Sequence, residues 1–348
     1  MLSGRSFPWN SPISLASWKL GPALAAGNTV VMKPAEQTPA SLLDLARLIE
    51  EAGFPPGVVN VVPGYGKTAG AALVNHGGVN KISFTGDHVT AQTIMREASR
   101  TLKRCTFECG GKSPHIIFAD ADIDKAITVA LHSGYRSTGQ SCSLGSRLFI
   151  QREIYDDFLE AFAKRVRRIR VGMPFDSKTH IGPQTSAEQL SKTKSYIQLG
   201  IDSEARLLVG GQRPSGFPKG YFVEPTLFAD VNNRSRLAQE EIFGPVVVAI
   251  PFDNEEDVVA MANDVRYGLV AGLWTRDVGR AHRICNQLQA GLVSVNTYRP
   301  VHWTLPYGGY KLSGIGRENG LGAVDAYTEI KTVVVELSTD IPIDPFAN

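Results

Sequence analysis

Neither sign of charge dominates this sequence: 36 basic side chains stand against 34 acidic ones, for a formal net charge of +2. A chain so balanced has no electrostatic basis for gripping nucleic acid or an anionic membrane surface. No apolar run approaches the roughly 18 residues needed to span a bilayer, and the first residues lack a signal-peptide pattern. Cysteine is scarce. Four in 348 residues make no disulfide framework, which leads us to expect a reducing, cytoplasmic setting. Cys105 and Cys109 stand four apart with no second Cys or His pair nearby, so no metal site is expected. Internal repeats, low-complexity linkers and any G-x-G-x-x-G after a strand are also missing. What is present is an ordinary globular composition, 43% apolar and 20% charged, in a chain long enough for two domains.

The patterning predicts an α/β protein in two lobes. Pro12 opens a helix through Ala16, Trp18 and Leu20, followed by the strand Thr29-Val30-Val31-Met32. Thr38-Pro39 then reads as N-cap and first residue of an amphipathic helix that stops at Gly53. Short strands at Val58-Val59-Asn60-Val61-Val62, Lys81-Ile82-Ser83-Phe84 and 103–109 alternate with helices at 68–75 and 88–99. Such alternation implies βαβ units and a parallel sheet covered on both faces. A second α/β block begins near Lys112, with a helix capped by Asp122 and an amphipathic helix over 153–170. Residues 172–235, rich in Gly, Pro and polar side chains, read as mostly loop with two short elements. Strands at Ala249-Ile250-Pro251-Phe252 and Gly291-Leu292-Val293-Ser294-Val295 flank helices at 256–263 and 278–289. The expected partition is 1–110 for one lobe, 111–312 for the other, and 313–348 as a returning segment.

Three short motifs carry chemistry. Gly139-Gln140-Ser141-Cys142 places a thiol in a turn of small residues. A thiol becomes a good nucleophile only where its surroundings favour the thiolate, and a free cysteine is more often a buried structural residue. Glu108-Cys109-Gly110-Gly111-Lys112-Ser113-Pro114 sets a carboxylate at a strand end before two glycines, where it can act as a general base. Phe7-Pro8-Trp9-Asn10 offers an amide able to donate to a developing oxyanion, as can the nucleophile's own backbone N–H.

Together these pieces resemble the NAD(P)-dependent aldehyde dehydrogenase superfamily, from Pro8 to about Glu336. The landmarks occur in the family's order: Val31-Met32-Lys33-Pro34-Ala35-Glu36, Phe84-Thr85-Gly86, the Glu108 and Cys142 motifs, Glu240-Glu241-Ile242-Phe243-Gly244-Pro245, and Pro306-Tyr307-Gly308-Gly309-Tyr310-Lys311. The resemblance implies a Rossmann-like cofactor lobe and an α/β catalytic lobe. It also implies oxidation of an aldehyde through a Cys142 thiohemiacetal and acyl-thioester. Glu108 would then activate water and Asn10 hold the oxyanion, while Lys19 and Glu318 relay a proton. For the cofactor it implies Trp9, Lys33, Glu36, Gly66, Gly86, Asp87, Gly110, Glu241 and Phe243. An acidic residue on the adenosine ribose repels a 2′-phosphate, so Glu36 favours NAD over NADP. For the aldehyde it implies Leu15, Trp18, Ser141, Ser143, Arg299, His302 and Trp303; the last three suggest an aromatic or carboxylate-bearing substrate. Arg104, Arg317 and Glu329 match a cluster at a subunit boundary. The strand-like run Lys331-Thr332-Val333-Val334-Val335 suggests a homo-oligomer, a dimer or tetramer.

Two departures stand out. Where the family opens its phosphate-binding turn with Gly-Ser, this chain has Gly86-Asp87, and Ala91 replaces a later Gly. A carboxylate at a helix N-terminus would cap the helix itself and repel a pyrophosphate. The family's chains also carry a substantial stretch ahead of Pro8-Trp9-Asn10, and the strand leading into Pro8 is expected to be replaced by Met1-Leu2-Ser3-Gly4-Arg5-Ser6. Exposed sheet edges and apolar surface would follow. The competing expectation is therefore an inactive or weakly active fragment that keeps the fold and associates with a longer relative. A CoA-acylating variant is a further alternative.

Overall fold

The computed structural model describes residues 2–342 and 344–346. Two parallel sheets organise the chain, and it crosses from one to the other at the Glu108 motif. The first lobe runs β1 (Leu2–Ser6), α1 (Pro12–Ala25), β2 (Thr29–Lys33), α2 (Ala40–Glu51), β3 (Val59–Val61), α3 (Ala71–Asn75), β4 (Lys81–Thr85), α4 (His88–Ala98) and β5 (Arg104–Glu108). Its strands are mutually parallel, and helices cover both faces as the alternation predicts. One apolar cluster packs Leu15, Ala16, Leu20 and Leu42 on Val30 and Met32; another packs Val74, Ala91 and Ile94 on Ile82 and Phe107.

The second lobe continues β6 (Pro114–Ile117), α5 (Ile123–Tyr135), β7 (Arg147–Gln151), α6 (Tyr155–Val166), α7 (Ala187–Ile201), β8 (Arg206–Val209), β9 (Thr226–Ala229), α8 (Arg236–Gln239) and β10 (Val246–Phe252). Then come α9 (Glu255–Asn263), β11 (Tyr267–Gly268), β12 (Val270–Trp274), α10 (Val278–Gln287), β13 (Leu292–Val295), β14 (Tyr310–Lys311) and β15 (Gly314–Ile315). Seven strands form its sheet in the order β13-β12-β6-β7-β10-β9-β8, all parallel except β8. Val246–Phe252 is almost wholly buried, as a central parallel strand must be. Caps set the helix starts: Asp122, Ser186, Asn254 and Asp277 each accept a backbone N–H from the first turn. The last segment returns to the first sheet, where β15 pairs antiparallel with β5.

Three expectations change. A strand does lead into Pro8: Leu2–Ser6 forms β1 at the centre of the six-stranded sheet β15-β5-β4-β1-β2-β3. Its Ser, Gly and Arg have little strand propensity, but β2 and β4 pair with it on both sides and tertiary context overrides the local preference. Met1 lies outside the described residues. In the 172–235 region, α7 is a full 15-residue helix whose buried Leu190, Thr193, Ile197 and Gly200 recur at helical spacing. The polar remainder of that segment masks the stripe. The run 331–335 is exposed and pairs with no strand among the described residues.

Candidate active site

Cys142 sits in the connection from α5 to β7. Before it, Ser137 (φ 55°) and Thr138 (φ 58°) hold left-handed backbone, which costs an L-residue roughly 1–2 kcal/mol each. Neighbours fix the turn. The Thr138 hydroxyl donates to the Gly182 carbonyl at 3.2 Å, and Gln184 Nε2 donates to the Thr138 carbonyl at 3.1 Å. The Thr185 N–H donates to Gln140 Oε1 at 2.9 Å. Strain held by so many contacts is typical of a functional turn. Cys142 Sγ lies 3.8 Å from the Tyr307 hydroxyl, and the Trp18 ring packs on Tyr307 at 5.1 Å between centroids. Burial raises the thiol's pKa, while the Tyr307 hydroxyl and the Arg299 charge oppose that rise.

β5 delivers Glu108 to the same place. The next two residues must be small: a Cβ on Gly110 would fall 2.1 Å from Glu241 Oε2, and one on Gly111 2.5 Å from the Cys142 carbonyl oxygen. Glycine there lets the crossover touch the Cys142 turn. Glu108 is buried, and neither carboxyl oxygen has a hydrogen-bond partner among the described residues. Burial pushes its pKa up to about 8, with Lys19 and Arg317 pulling the other way. A carboxyl so placed can take a proton near neutral pH. Lys19 and Glu318 form a fully buried ion pair. Asn10, at the mouth of α1, donates from Nδ2 to the Gln140 carbonyl at 3.2 Å, two residues before Cys142. Thiol, base and amide donor are thus brought together by three separate segments, a set suited to addition at a carbonyl carbon.

From this point a groove of about 1130 Å³ runs along the carboxyl ends of the first sheet. Trp9, Asn10, Lys33, Glu36, Gly66, Gly86, Asp87, Glu108, Gly110, Cys142, Glu241 and Phe243 all line it. Trp9 meets Phe243 edge-to-face at 5.2 Å across the two lobes. Glu241 accepts the Gly111 N–H at 3.0 Å, and burial raises its pKa to about 7. At the far end Lys33 Nζ stands 3.7 Å from Glu36 Oε2. Asp87 caps α4 as expected, accepting the Thr90 N–H at 2.9 Å and its hydroxyl at 2.6 Å. A second opening of about 1010 Å³, apolar and set between α3 and α4, adjoins the groove at Gly66, Phe84 and Thr90.

The remaining site residues separate. Ser141, Ser143 and Arg299 line a further cavity of about 710 Å³. Leu15 is core, and Trp18, like Cys142, packs against the small cluster that holds Tyr307. His302 and Trp303 line neither this cavity nor the groove; Trp303 is 74% exposed. Arg104 pairs with Glu329, whereas Arg317 donates instead to the Gly309 and Gly316 carbonyls. Sequence reasoning overlooks Tyr307, although it lies in a quoted motif. It overlooks Arg136 as well, whose signal is a cation only six residues before the thiol.

Comparison with known proteins shows the family. Residues 4–333 match the model of the Aldehyde dehydrogenase family. An aldehyde dehydrogenase of Alternaria alternata is 48% identical over 335 residues, covering 96% of this chain and 67% of that protein. A betaine aldehyde dehydrogenase of Brucella melitensis is 49% identical over 331 residues, covering 94% of this chain and 68% of that protein. The structure of an aldehyde dehydrogenase from Bacillus cereus in complex with NAD+ superposes with a TM-score of 0.95 at 47% identity, over 97% of this chain and 68% of that one.

Proposed function

Because the chain belongs to the aldehyde dehydrogenase family, we propose that it oxidises an aldehyde to the carboxylic acid with NAD, using Cys142 as the nucleophile. The observation that carries this is the convergence of Cys142, Glu108 and Asn10 at one end of a groove whose other end holds Lys33 and Glu36.

The groove suits a dinucleotide. Its apolar annex between α3 and α4 can take the adenine, and Lys33 with Glu36 can bind the ribose hydroxyls. Glu241 and the Trp9–Phe243 pair can hold the nicotinamide end. One residue opposes the fit: Asp87, at the helix N-terminus that a pyrophosphate would occupy. NAD, when bound, supplies the hydride acceptor. For its part, the Cys142 thiolate bonds to the aldehyde carbon, and the oxyanion is met by the Asn10 amide and the Cys142 N–H. Loss of hydride leaves an acyl-thioester on Sγ. Glu108 takes a proton from water, the hydroxide adds to the acyl carbon, and the C–S bond breaks to release the acid and restore the thiolate. The buried Lys19–Glu318 pair can carry that proton outward.

A second reading, a chain that keeps the fold with little turnover, draws support from Asp87. The exposed apolar residues Ile330, Val333, Val334 and Val335 support assembly with another copy. NADH formation by the purified protein over a panel of aldehydes tests the main reading, with Cys142→Ala as control. Turnover that survives in Cys142→Ala, or none in the wild type, would sink it.

A further inference from the structure

The cavity behind the nucleophile differs from the cofactor groove in chemistry. It shares no lining residue with that groove, yet both neighbours of Cys142, Ser141 and Ser143, form part of its wall. Its basic lining is Arg299, Arg136 and His132, with no Asp or Glu. None of the three has an ion-pair partner among the described residues. Arg299 is the innermost. Its backbone is left-handed (φ 47°), and Nη1 donates to Ser143 Oγ at 2.7 Å and Ser141 Oγ at 3.4 Å. The Tyr298 hydroxyl donates to the Ser143 carbonyl at 3.1 Å and closes that side. The guanidinium is therefore tied to the residues beside the thiol, while Nε and Nη2 have no protein partner among the described residues. His132 and Arg136 are exposed at the rim.

A half-buried guanidinium with free donors and no counter-charge is a recognition element for a planar anion. The geometry points to an aldehyde that carries a carboxylate at its far end, paired with Arg299 while its carbonyl reaches Cys142 and with Arg136 drawing it in. Neutral aldehydes lose that pairing, and cationic ones meet like charge. This deepens the oxidation reading by naming the substrate class, but the binding step does not require turnover.

The test separates the two. Calorimetry on Cys142→Ala compares 4-oxobutanoate with its methyl ester, which differ only in charge and one methyl. The acid should bind at least tenfold more tightly. Arg299→Gln in the same background should remove the preference, Arg299→Lys restore part of it, and Arg136→Gln weaken it less, with thermal unfolding confirming that each variant is folded. Equal binding of acid and ester, or a preference untouched by Arg299→Gln, overturns the inference. In the wild type, kcat/KM should rank 4-oxobutanoate above the ester and above betaine aldehyde. Acid-selective binding without turnover of any aldehyde would refute the oxidation reading and leave this one standing. Turnover favouring the ester or betaine aldehyde would do the reverse.

Discussion

Replacing Asp87 by Ser should tighten NAD binding by about tenfold, a gain from deleting a charge that the fold itself does not need. Asp87 accepts two hydrogen bonds from Thr90 and so caps α4. A serine is an equally good cap, and the helix should keep its stability to within a few tenths of a kcal/mol. What changes is the field at the helix N-terminus. A pyrophosphate laid against the first turn stands on the order of 6 Å from the carboxylate, about the pitch of one turn. Asp87 is exposed, so an effective dielectric of about 40, between protein surface and water, is appropriate. One unit of phosphate charge then meets about 1.4 kcal/mol of repulsion, worth a factor of about ten in Kd. Titrating NAD into wild type, Asp87→Ser and the isosteric Asp87→Asn by calorimetry at low and high salt measures this. Both variants should bind more tightly, with the gap narrowing as salt screens the carboxylate. An unchanged Kd in two folded variants would refute the reasoning and exonerate Asp87.

Asn10→Ala should lower kcat by about 100- to 1000-fold with little change in NAD affinity, because it removes one oxyanion donor worth about 2.7–4 kcal/mol; steady-state kinetics beside an NAD titration check this. Since Glu108 must lose its proton to act as a base and burial sets its pKa near 8, turnover should rise with pH through about 8, and Glu108→Gln should lack that limb in a pH–rate profile. The same group makes a stability signature. A folded-state pKa raised from 4.5 to about 8 favours the folded state below about 4.5 and loses that contribution as pH climbs through 8. Urea melts of Glu108→Gln should therefore fall less steeply over that window than those of the wild type. Finally, the buried Arg147 donates to the carbonyls of Lys112, Met261 and Ala262 and to Asn233 Oδ1. Arg147→Met should cost about 3 kcal/mol in a urea melt by leaving the Lys112 and Ala262 carbonyls and Asn233 Oδ1 without that donor, the Met261 carbonyl keeping Asn233 Nδ2, and a loss below about 1 kcal/mol would contradict this reasoning.

Cys142, Glu108 and Asn10 are legible in sequence because each lies in or at the edge of a loop motif, and beside Glu108 the small Gly110 and Gly111 serve close backbone approach. The parallel lobes are legible from alternation. Less is written locally where distant segments decide the outcome. The centre of the first sheet is a strand of Ser, Gly and Arg that only its two neighbours make extended. The stripe on α7 is present but diluted by polar residues. Tyr307 reaches Cys142 across 165 positions, and the cation-lined cavity joins α5, the Cys142 turn and the loop after β13, a juxtaposition that no window of sequence contains.

The buried Lys19–Glu318 pair spans 299 positions. Closing so long a loop is entropically slow, and it cannot begin until the segment carrying Glu318 has been synthesised. Until then the thiol has neither Tyr307 at its side nor the returning strand along β5. The surroundings of Cys142 are therefore completed last, by the segment from Tyr307 onward, so a ribosome-bound chain carries the thiol before it carries the neighbourhood that would set its chemistry.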